Sequence, residues 1–347
     1  MQRVQKIYNY VRNTFTWNGN HSFISSQNLS SLVETKKGNS ADINLYLITL
    51  LKEAGLQANP MLVSTRTHGK IYAAKYPLLT QFNHLAAFVQ VENESFILNA
   101  SDRFRPYTLL DMNDLTENAY LLDQNTPQWI KMRQPLPSRQ LTSAEVDLSD
   151  TRKPVYRLAT RYEGYLALDQ RQKFMEAGNK IQPSQILTTP TQDFKLTQTE
   201  SKNMDNPDEP LLITLVYQSD TSSESKTDII YFNPVLKSDI SENPFKNANR
   251  SLPVELNYPA TYTYGLNVKL PMGYSVQELP KNIMIKLPNT MGEFRYQITQ
   301  KEGMIQLLSV ISFKETLIPA EYYHHLREFY DHIIAKHQEP IVFVKQK

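Results

Sequence analysis

The pentapeptide GNSAD at residues 38–42 constrains this chain most, because an apolar segment at residues 43–54 follows it at once. Apolar residues recur in that segment at helical spacing, which predicts a helix over residues 40–54 with one buried face. Gly55 supplies the left-handed residue that commonly ends such a helix. The first domain is therefore expected to be organised around this helix.

The start of the helix carries the candidate chemistry. Asn39 or Ser40 can cap the helix by accepting a free backbone N–H, and Asp42 places a carboxylate near the positive end of the helix dipole. A Cys at position 40 would become a thiolate, because backbone donors and partial positive charge meet there. This chain has Ser at that position.

Composition removes several classes of function. A length of 347 residues predicts two or three domains, and a net charge of +2 without a dense basic run argues against nucleic-acid binding. The absence of Cys excludes disulfides, thiolate metal sites and a Cys nucleophile. No apolar run approaches the ~18 residues that span a bilayer. Because Met1 leads straight into an amphipathic helix, we expect this chain to be part of a longer protein whose upstream domain, with or without an export signal, is missing.

The pattern of residues 1–135 is typical of an α+β domain. Helices are predicted at residues 1–16 and 40–54, and residues 20–37 are predicted to form a loop or a short helix. Short apolar runs then predict antiparallel strands, the last two joined by a hairpin turn. The predicted strands cover residues 60–65, 83–91 and 95–100.

The pattern changes near residue 134, where a Pro-rich stretch predicts a linker. Over residues 136–347 most segments alternate between apolar and polar residues, which predicts short antiparallel strands in a β-sandwich. A further split of this region near residue 240 is left open. Helices are expected at residues 161–176 and 320–336. The last helix should pack through an apolar face made of Tyr322, Leu326, Phe329, Tyr330 and Ile333.

The first domain resembles the transglutaminase-like branch of the papain superfamily. More narrowly, the chain resembles bacterial multidomain proteins that carry this domain between β-domains of unknown function. The order and spacing of short segments carry the resemblance. They are WNG at residues 17–19, GNSAD at 38–42, LVSTR at 62–66, FNH at 82–84, LNAS at 98–101, the stretch 243–258 that begins NPFK, and the final Tyr-rich helix. The resemblance implies a papain-like fold and an extracytoplasmic location, in the periplasm or at the cell surface.

In active members of that family a Cys at the helix start attacks an amide, a His opening the next strand takes its proton, and an Asp on the neighbouring strand orients the His. The resemblance places Ser40, His84 and Asn99 at those positions. A Ser hydroxyl stays protonated beside a helix dipole, so a strong base must act on it. Asn99 cannot stabilise an imidazolium as a carboxylate does, and replacing the Asp of a serine triad costs about 10⁴-fold in rate.

Further residues around these positions are candidates for binding. They are Trp17, Asn39, Asp42, Asn83 and Asp102. Asp102 could replace the missing carboxylate, but alternation along a strand predicts that it points to the opposite face. The plain structural interpretations are Ser40 as a helix cap, His84 as a half-buried histidine and Trp17 as core.

No cofactor or metal site is predicted. The final helix carries most of the histidines but no HExxH pattern, and acidic residues stand one turn away from two of them, which favours a solvated, charge-paired face. These histidines are His324, His325, His332 and His337.

The sequence therefore predicts a catalytically degenerate transglutaminase-like protein whose cleft survives as a binding or scaffolding surface for a peptide, a protein or a cell-envelope polymer. One alternative is a slow Ser-His-Asn hydrolase of amide or ester bonds. Another is a purely structural domain that spaces its neighbours. Fold resemblance alone does not choose among them.

Overall fold

The computed structural model describes residues 1–132, 135–151, 153–178, 194–219 and 228–346. The chain divides into two compact units, Met1–Leu136 and Pro137–Lys347, whereas the sequence placed the boundary between residues 135 and 136. No helix among the described residues is long and apolar enough to cross a membrane.

Three helices form in the first unit: α1 (Gln2–Thr14), α2 (Leu29–Thr35) and α3 (Ser40–Glu53). The second lies in the segment for which the sequence left a loop and a short helix open. Gly55 follows α3 with φ +77, the left-handed conformation expected of it. Helices α1 and α3 bury apolar residues at helical spacing in one core. These residues are Val4, Tyr8, Val11, Ile43, Leu47 and Leu51.

The sheet of the first unit is antiparallel and has the order β5-β4-β3-β6-β7. The sequence missed its two last strands, which are short and lie in an otherwise polar stretch. A separate parallel pair, β1-β2, links the start of the unit to the turn before α3. The strands are β1 (Thr16–Trp17), β2 (Lys37–Gly38), β3 (Gln57–Val63), β4 (His84–Val91), β5 (Glu94–Leu98), β6 (Asn118–Leu121) and β7 (Gln128–Lys131).

In the second unit an eight-stranded sheet has the order β10-β11-β9-β8-β14-β18-β17-β16, and a smaller sheet has the order β12-β20-β15. A two-stranded pair, β13-β19, stands beside them. The strands are β8 (Ser138–Asp147), β9 (Val155–Glu163), β10 (Phe194–Lys202), β11 (Leu211–Ser219), β12 (Ile229–Phe232), β13 (Val254–Glu255), β14 (Ala260–Lys269), β15 (Tyr274–Glu278), β16 (Ile283–Lys286), β17 (Gly292–Lys301), β18 (Met304–Phe313), β19 (Leu317–Ile318) and β20 (Ile341–Lys345).

The first helix of the second unit is α4 (Tyr165–Glu176), so the prediction of a helix from residue 161 was wrong at its start. Residues 161–163 complete β9, which pairs on both sides. Gly164 makes the sharp turn from strand to helix with φ +64, and a Cβ there would lie 2.6 Å from Ser138 Oγ. Only glycine tolerates both that φ and that approach.

The sheet pairing of the second unit crosses residue 240, where the sequence left a further split open. β14 pairs in parallel with β8 along its whole length, so segments from both sides of residue 240 form one sheet. Loop closure over a long insertion costs little free energy, which lets distant segments pair once a shared core rewards them. One core joins the large sheet to the small sheet and to α5 (Tyr323–Gln338). The α+β fold with mostly antiparallel sheets and a terminal helix is confirmed.

The terminal helix packs through much of the face expected of it. Leu326, Phe329 and Ile333 are buried, and the Phe329 ring lies 5.8 Å from that of Phe313 on β18. The expected solvated face of histidines holds only in part. His324 pairs with Glu328 at 3.1 Å, but His337 is buried with its two ring nitrogens each 2.9 Å from a serine hydroxyl, those of Ser238 and Ser309.

The buried His337 makes stability depend on pH. Burial lowers the pKa of His337 from 6.5 to about 4, so folding favours the neutral imidazole. The contribution of the neutral His337 to the free energy of unfolding is fully present above pH 6.5. It is lost as the pH falls from there towards 4, where the loss reaches about 3 kcal/mol. We expect His337→Gln to flatten that part of the stability–pH curve, measured by urea unfolding. His332→Gln, at an exposed site on the same helix, is the control; equal curves for wild type and His337→Gln would refute the assignment.

Candidate active site

The N-terminus of α3 is closed by a reciprocal pair of hydrogen bonds. Asn39 is the cap: its side chain accepts from the Asp42 backbone N–H at 2.8 Å, and the Asp42 carboxylate accepts from the Asn39 N–H at 2.8 Å. Gly38 precedes the cap because a Cβ there would lie 2.8 Å from the Asp42 Cβ. The cap is Asn39, and Ser40 is the first residue of the helix.

The hydroxyl of Ser40 is fully buried and engaged by the backbone of Ser22. The Ser22 N–H donates to Ser40 Oγ at 2.9 Å, and Ser40 Oγ donates to the Ser22 carbonyl at 3.0 Å. No hydrogen bond joins Ser40 to His84 in the described chain. The nucleophile position is therefore covered by the segment that contains Ser22.

Asp42 anchors that covering segment. Its carboxylate accepts from the Ser25 hydroxyl at 2.6 Å, from the Ser26 hydroxyl at 2.7 Å and from the Ser26 backbone N–H at 2.8 Å. Burial acts to raise the pKa of Asp42, but these hydrogen bonds and that of Asn39 hold it below its usual value. Asn39 and Asp42, predicted as binding residues, have their polar atoms committed to the cap and the cover.

His84 opens β4 and is fully buried among polar partners. Its Nε2 lies 3.1 Å from Asn99 Nδ2 and 3.4 Å from Asp114 Oδ2. Its Nδ1 lies 3.5 Å from Nδ1 of His21, whose ring also contacts Trp17 at 4.8 Å. Burial first, and then the nearby His84, lower the pKa of His21. The structure thus brings His84 and Asn99 together, with His21 at the other ring nitrogen.

The amide of Asn99 has its orientation fixed by its neighbours. Its Oδ1 accepts from Asn44 Nδ2 at 3.1 Å and from the hydroxyl of Ser101 at 2.8 Å. Its Nδ2 is therefore left to donate to Asp114 Oδ2, at 2.6 Å, and towards His84. Because the acceptor side is taken, the amide cannot turn its oxygen to the imidazole without losing these bonds.

Asp114 is a member of the site that sequence reasoning missed. It ends a single turn of 3₁₀ helix (Met112–Asp114) and is fully buried. Burial acts to raise its pKa, but the neighbouring His84, the charge of Arg105 and the hydrogen bond from Asn99 hold the pKa below its usual value. Asp102, the substitute considered from sequence, instead lies 3.7 Å from Arg105 and caps the Phe104 N–H. The only sequence signal for Asp114 is an acidic residue in a loop, which does not place it beside a strand-borne histidine.

The other predicted residues lie at the edge of this network. Asn83 exchanges hydrogen bonds with Thr65, accepting from its N–H and donating to its hydroxyl, both at 2.8 Å. Trp17 is half-buried and donates to the Asn20 carbonyl at 2.9 Å. Asn44 was also missed, although it lies one helical turn after Ser40 and therefore on the same side of α3. Among the residues that the structure describes, no group of three or more His, Asp or Glu side chains is arranged to hold a metal ion.

Comparison with known proteins agrees with this architecture. Residues 1–96 match the Transglutaminase-like superfamily, and residues 228–343 match DUF3858, a domain of unknown function with solved structures. A search of curated proteins gives no match. A crystal structure described as "a putative protease" from Parabacteroides distasonis has a TM-score of 0.57 at 13% identity and covers 99% of this chain and 52% of its own.

The first unit is thus a transglutaminase-like domain, and a β-rich flanking domain follows it. The resemblance predicted from sequence is confirmed at that level. The chain spans about half the length of the solved structure that it matches, and the likeness to that structure shows the fold alone.

Because Asn99 is paired with Asp114, a carboxylate at position 99 should lower the free energy of unfolding. Asn99→Asp would set two buried carboxylates about as close as the present 2.6 Å contact, so we expect a loss of about 3–5 kcal/mol in the free energy of unfolding. The exchange Asn99→Asp/Asp114→Asn restores one donor and one acceptor and should recover most of that loss. Chemical denaturation of the two variants measures the difference.

Asp102→Asn is the matched control. That carboxylate is partly exposed, and its ion pair with Arg105 is long, at 3.7 Å. It should cost about 1 kcal/mol or less. A double variant no more stable than Asn99→Asp would show that the contact does not govern the network.

Proposed function

We propose that this chain is a catalytically degenerate transglutaminase-like protein, in which the positions of the former catalytic triad stabilise the domain and the surface above them binds a peptide or a cell-envelope polymer. One observation supports the proposed loss of catalysis. The Ser40 hydroxyl and both ring nitrogens of His84 contact other residues and do not contact one another. A general base must reach the proton that it removes, at hydrogen-bond distance or through one water.

The tautomer of His84 supports the same conclusion. We infer that Asn99 Nδ2 donates to Nε2 of His84, which places the imidazole proton on Nδ1, where it faces His21. A triad needs the reverse arrangement, in which the third residue accepts from one nitrogen and leaves the other free as base. Replacing the carboxylate of a serine triad by an amide costs about 10⁴-fold in rate for this reason.

Trp17 and His21 support the binding part of the proposal. Both are half-buried and in ring contact, and His21 lies directly against His84. An aromatic pair of this kind offers apolar area with a polar edge, which suits a peptide or a saccharide chain. An extracytoplasmic location remains part of the proposal, on the basis of the family resemblance.

A slow serine hydrolase is the second candidate, and Asp114 is the observation that favours it. Its carboxylate lies 3.4 Å from Nε2 of His84, so it could accept the imidazole proton in place of the family Asp. Nδ1 would then become a base, provided that the segment containing His21 and Ser22 moved away. The two candidates differ in the tautomer of His84 and in the reactivity of Ser40.

Spectroscopy and labelling separate the two candidates. In long-range nitrogen–proton NMR of histidine-labelled protein we expect the neutral ring of His84 to carry its proton on Nδ1, because Asn99 donates to Nε2. The protein should also remain unlabelled by a fluorophosphonate and should not hydrolyse amide or ester substrates. A Nε2-protonated ring together with labelling that Ser40→Ala removes would establish the hydrolase instead.

The binding surface is tested with Trp17→Ala. We expect the native chain to co-sediment with purified peptidoglycan or to bind unstructured peptides by fluorescence titration, and the variant to bind at least about tenfold more weakly, as for loss of an aromatic anchor. Trp129→Ala, at a half-buried site on β7, serves as the control. If neither ligand class binds, the domain acts as a spacer for its neighbours.

A further inference from the structure

A cavity of about 440 Å³ opens in the second unit, away from the candidate active site. Its walls come from the loop after β12, the start of β14, the end of β18 and the middle of α5. Two carboxylates, Asp239 and Glu242, line it, and no Lys or Arg is among the described residues that do. Its size is that of a site for a small organic group.

Asp239 is the inner carboxylate, with a side chain that is 23% exposed. It accepts from Gln140 Nε2 at 2.7 Å, but its nearest cation, Lys237, lies 3.9 Å away and donates instead to Tyr162 at 2.9 Å. Burial holds the pKa of Asp239 above its usual value despite the charge of Lys237, the hydrogen bond from Gln140 and the charge of Lys173. The charge of Asp239 is therefore only partly compensated within the protein, whereas Glu242 is 83% exposed at the rim.

Aromatic side chains form the rest of the wall, and their neighbours hold them in place. Tyr258 stacks on Tyr165 at 5.0 Å and donates to Asp169 at 2.7 Å. Tyr330 packs against Phe313 at 5.6 Å. Tyr262 lies on β14, beside Gln140 in the parallel register.

Two of these tyrosines keep their hydroxyls available. Tyr262 and Tyr330 line the cavity, and neither hydroxyl is hydrogen-bonded to the part of the chain that the structure describes. A hydroxyl oxygen accepts hydrogen bonds from an ammonium group, and aromatic rings attract cations and pack against aliphatic stems. The wall thus offers acceptors and apolar area around one under-compensated carboxylate.

We propose that this cavity binds an alkylammonium group, with Asp239 as its counter-ion and Tyr262 and Tyr330 as hydrogen-bond acceptors. An anionic ligand would meet two carboxylates and no cation. A neutral ligand would provide no positive charge to compensate the Asp239 carboxylate. An ammonium on an aliphatic stem fits both the charge and the wall, whether it is a lysine side chain of a peptide or a free amine. This site does not depend on the function proposed for the first unit.

The probe for a peptide-borne amine is N-acetyl-lysine N-methylamide, and its control is N-acetyl-norleucine N-methylamide, which has the same aliphatic stem without the terminal ammonium group. Ligand-observed NMR titration of the full chain should give a dissociation constant on the order of 1 mM for the lysine probe, as expected for a fragment of this size. The norleucine probe should bind at least about tenfold more weakly. n-Butylamine in parallel tells whether a free amine suffices or the peptide frame contributes.

Two substitutions test the assignment on the protein side. Asp239→Asn should weaken the lysine probe at least about tenfold, and Tyr262→Phe, which keeps the ring, should weaken it severalfold. Glu278→Gln, at an exposed acid outside the cavity, should leave binding unchanged. Thermal unfolding of each variant verifies that the fold is kept.

Equal binding of the lysine and norleucine probes would overturn the proposal, and so would affinity that Asp239→Asn and Tyr262→Phe leave intact. Titration with methyl glucoside adds a distinct outcome. Saccharide binding without amine binding would replace the ammonium assignment by a sugar site built from the same aromatic wall.

Discussion

The side-chain amide of Asn99 holds the core of the first unit together. Its oxygen accepts from α3 through Asn44, and its nitrogen donates to Asp114 at 2.6 Å and towards His84 on β4. One planar group thereby connects a helix, a strand and a loop turn in the buried interior. Buried polar groups stabilise a fold only when each finds its partner, and an unpaired group costs more than a made bond gains. The arrangement therefore tolerates little change at any of its members.

This constraint is the physical basis of the proposed loss of catalysis. Catalysis needs groups left partly unsatisfied until substrate arrives, whereas stability favours their full satisfaction. Here the Ser40 hydroxyl is satisfied by Ser22, and Asp42 fixes the segment that brings Ser22 there. Asp114 supplies a carboxylate but is paired with Asn99 as well as with His84. In the proposed function these contacts, rather than Ser40, engage His84.

The second unit contains a cavity whose polar groups are only partly satisfied. Its core is built from a large sheet, a small sheet and α5. In the cavity beside α5, Asp239 is left with a distant cation and two tyrosine hydroxyls have no partner in the described chain. Partly satisfied polar groups in a concave site are typical of ligand binding. The unit matched by a domain of unknown function thus carries a more open site than the transglutaminase-like domain.

The sequence by itself determined what local periodicity and capping encode. The helix at residues 40–54, a cap at Asn39 or Ser40, the strand that contains His84 and the apolar face of α5 all follow from spacing and residue type within a few turns of chain. Alternation predicted several longer strands of the second unit but missed β9 and β10 there, and short apolar runs hid β6 and β7 in the first unit. It also could not show that β14 would pair with β8 across more than a hundred residues.

Only the tertiary structure decided which polar atoms meet. Asp114 reaches His84 from a loop with no periodic signal, and Asp102, the nearer acid in sequence, turns to Arg105 instead. Ser40 is covered by the segment that contains Ser22, and Asp42 holds this segment by accepting hydrogen bonds from Ser25 and Ser26. Such contacts join residues that are remote in the chain, and their energies depend on burial and orientation, which residue types alone do not specify. The sequence therefore identified Ser40, His84 and Asn99 as candidate site positions, and the tertiary structure decided which polar atoms each of them meets.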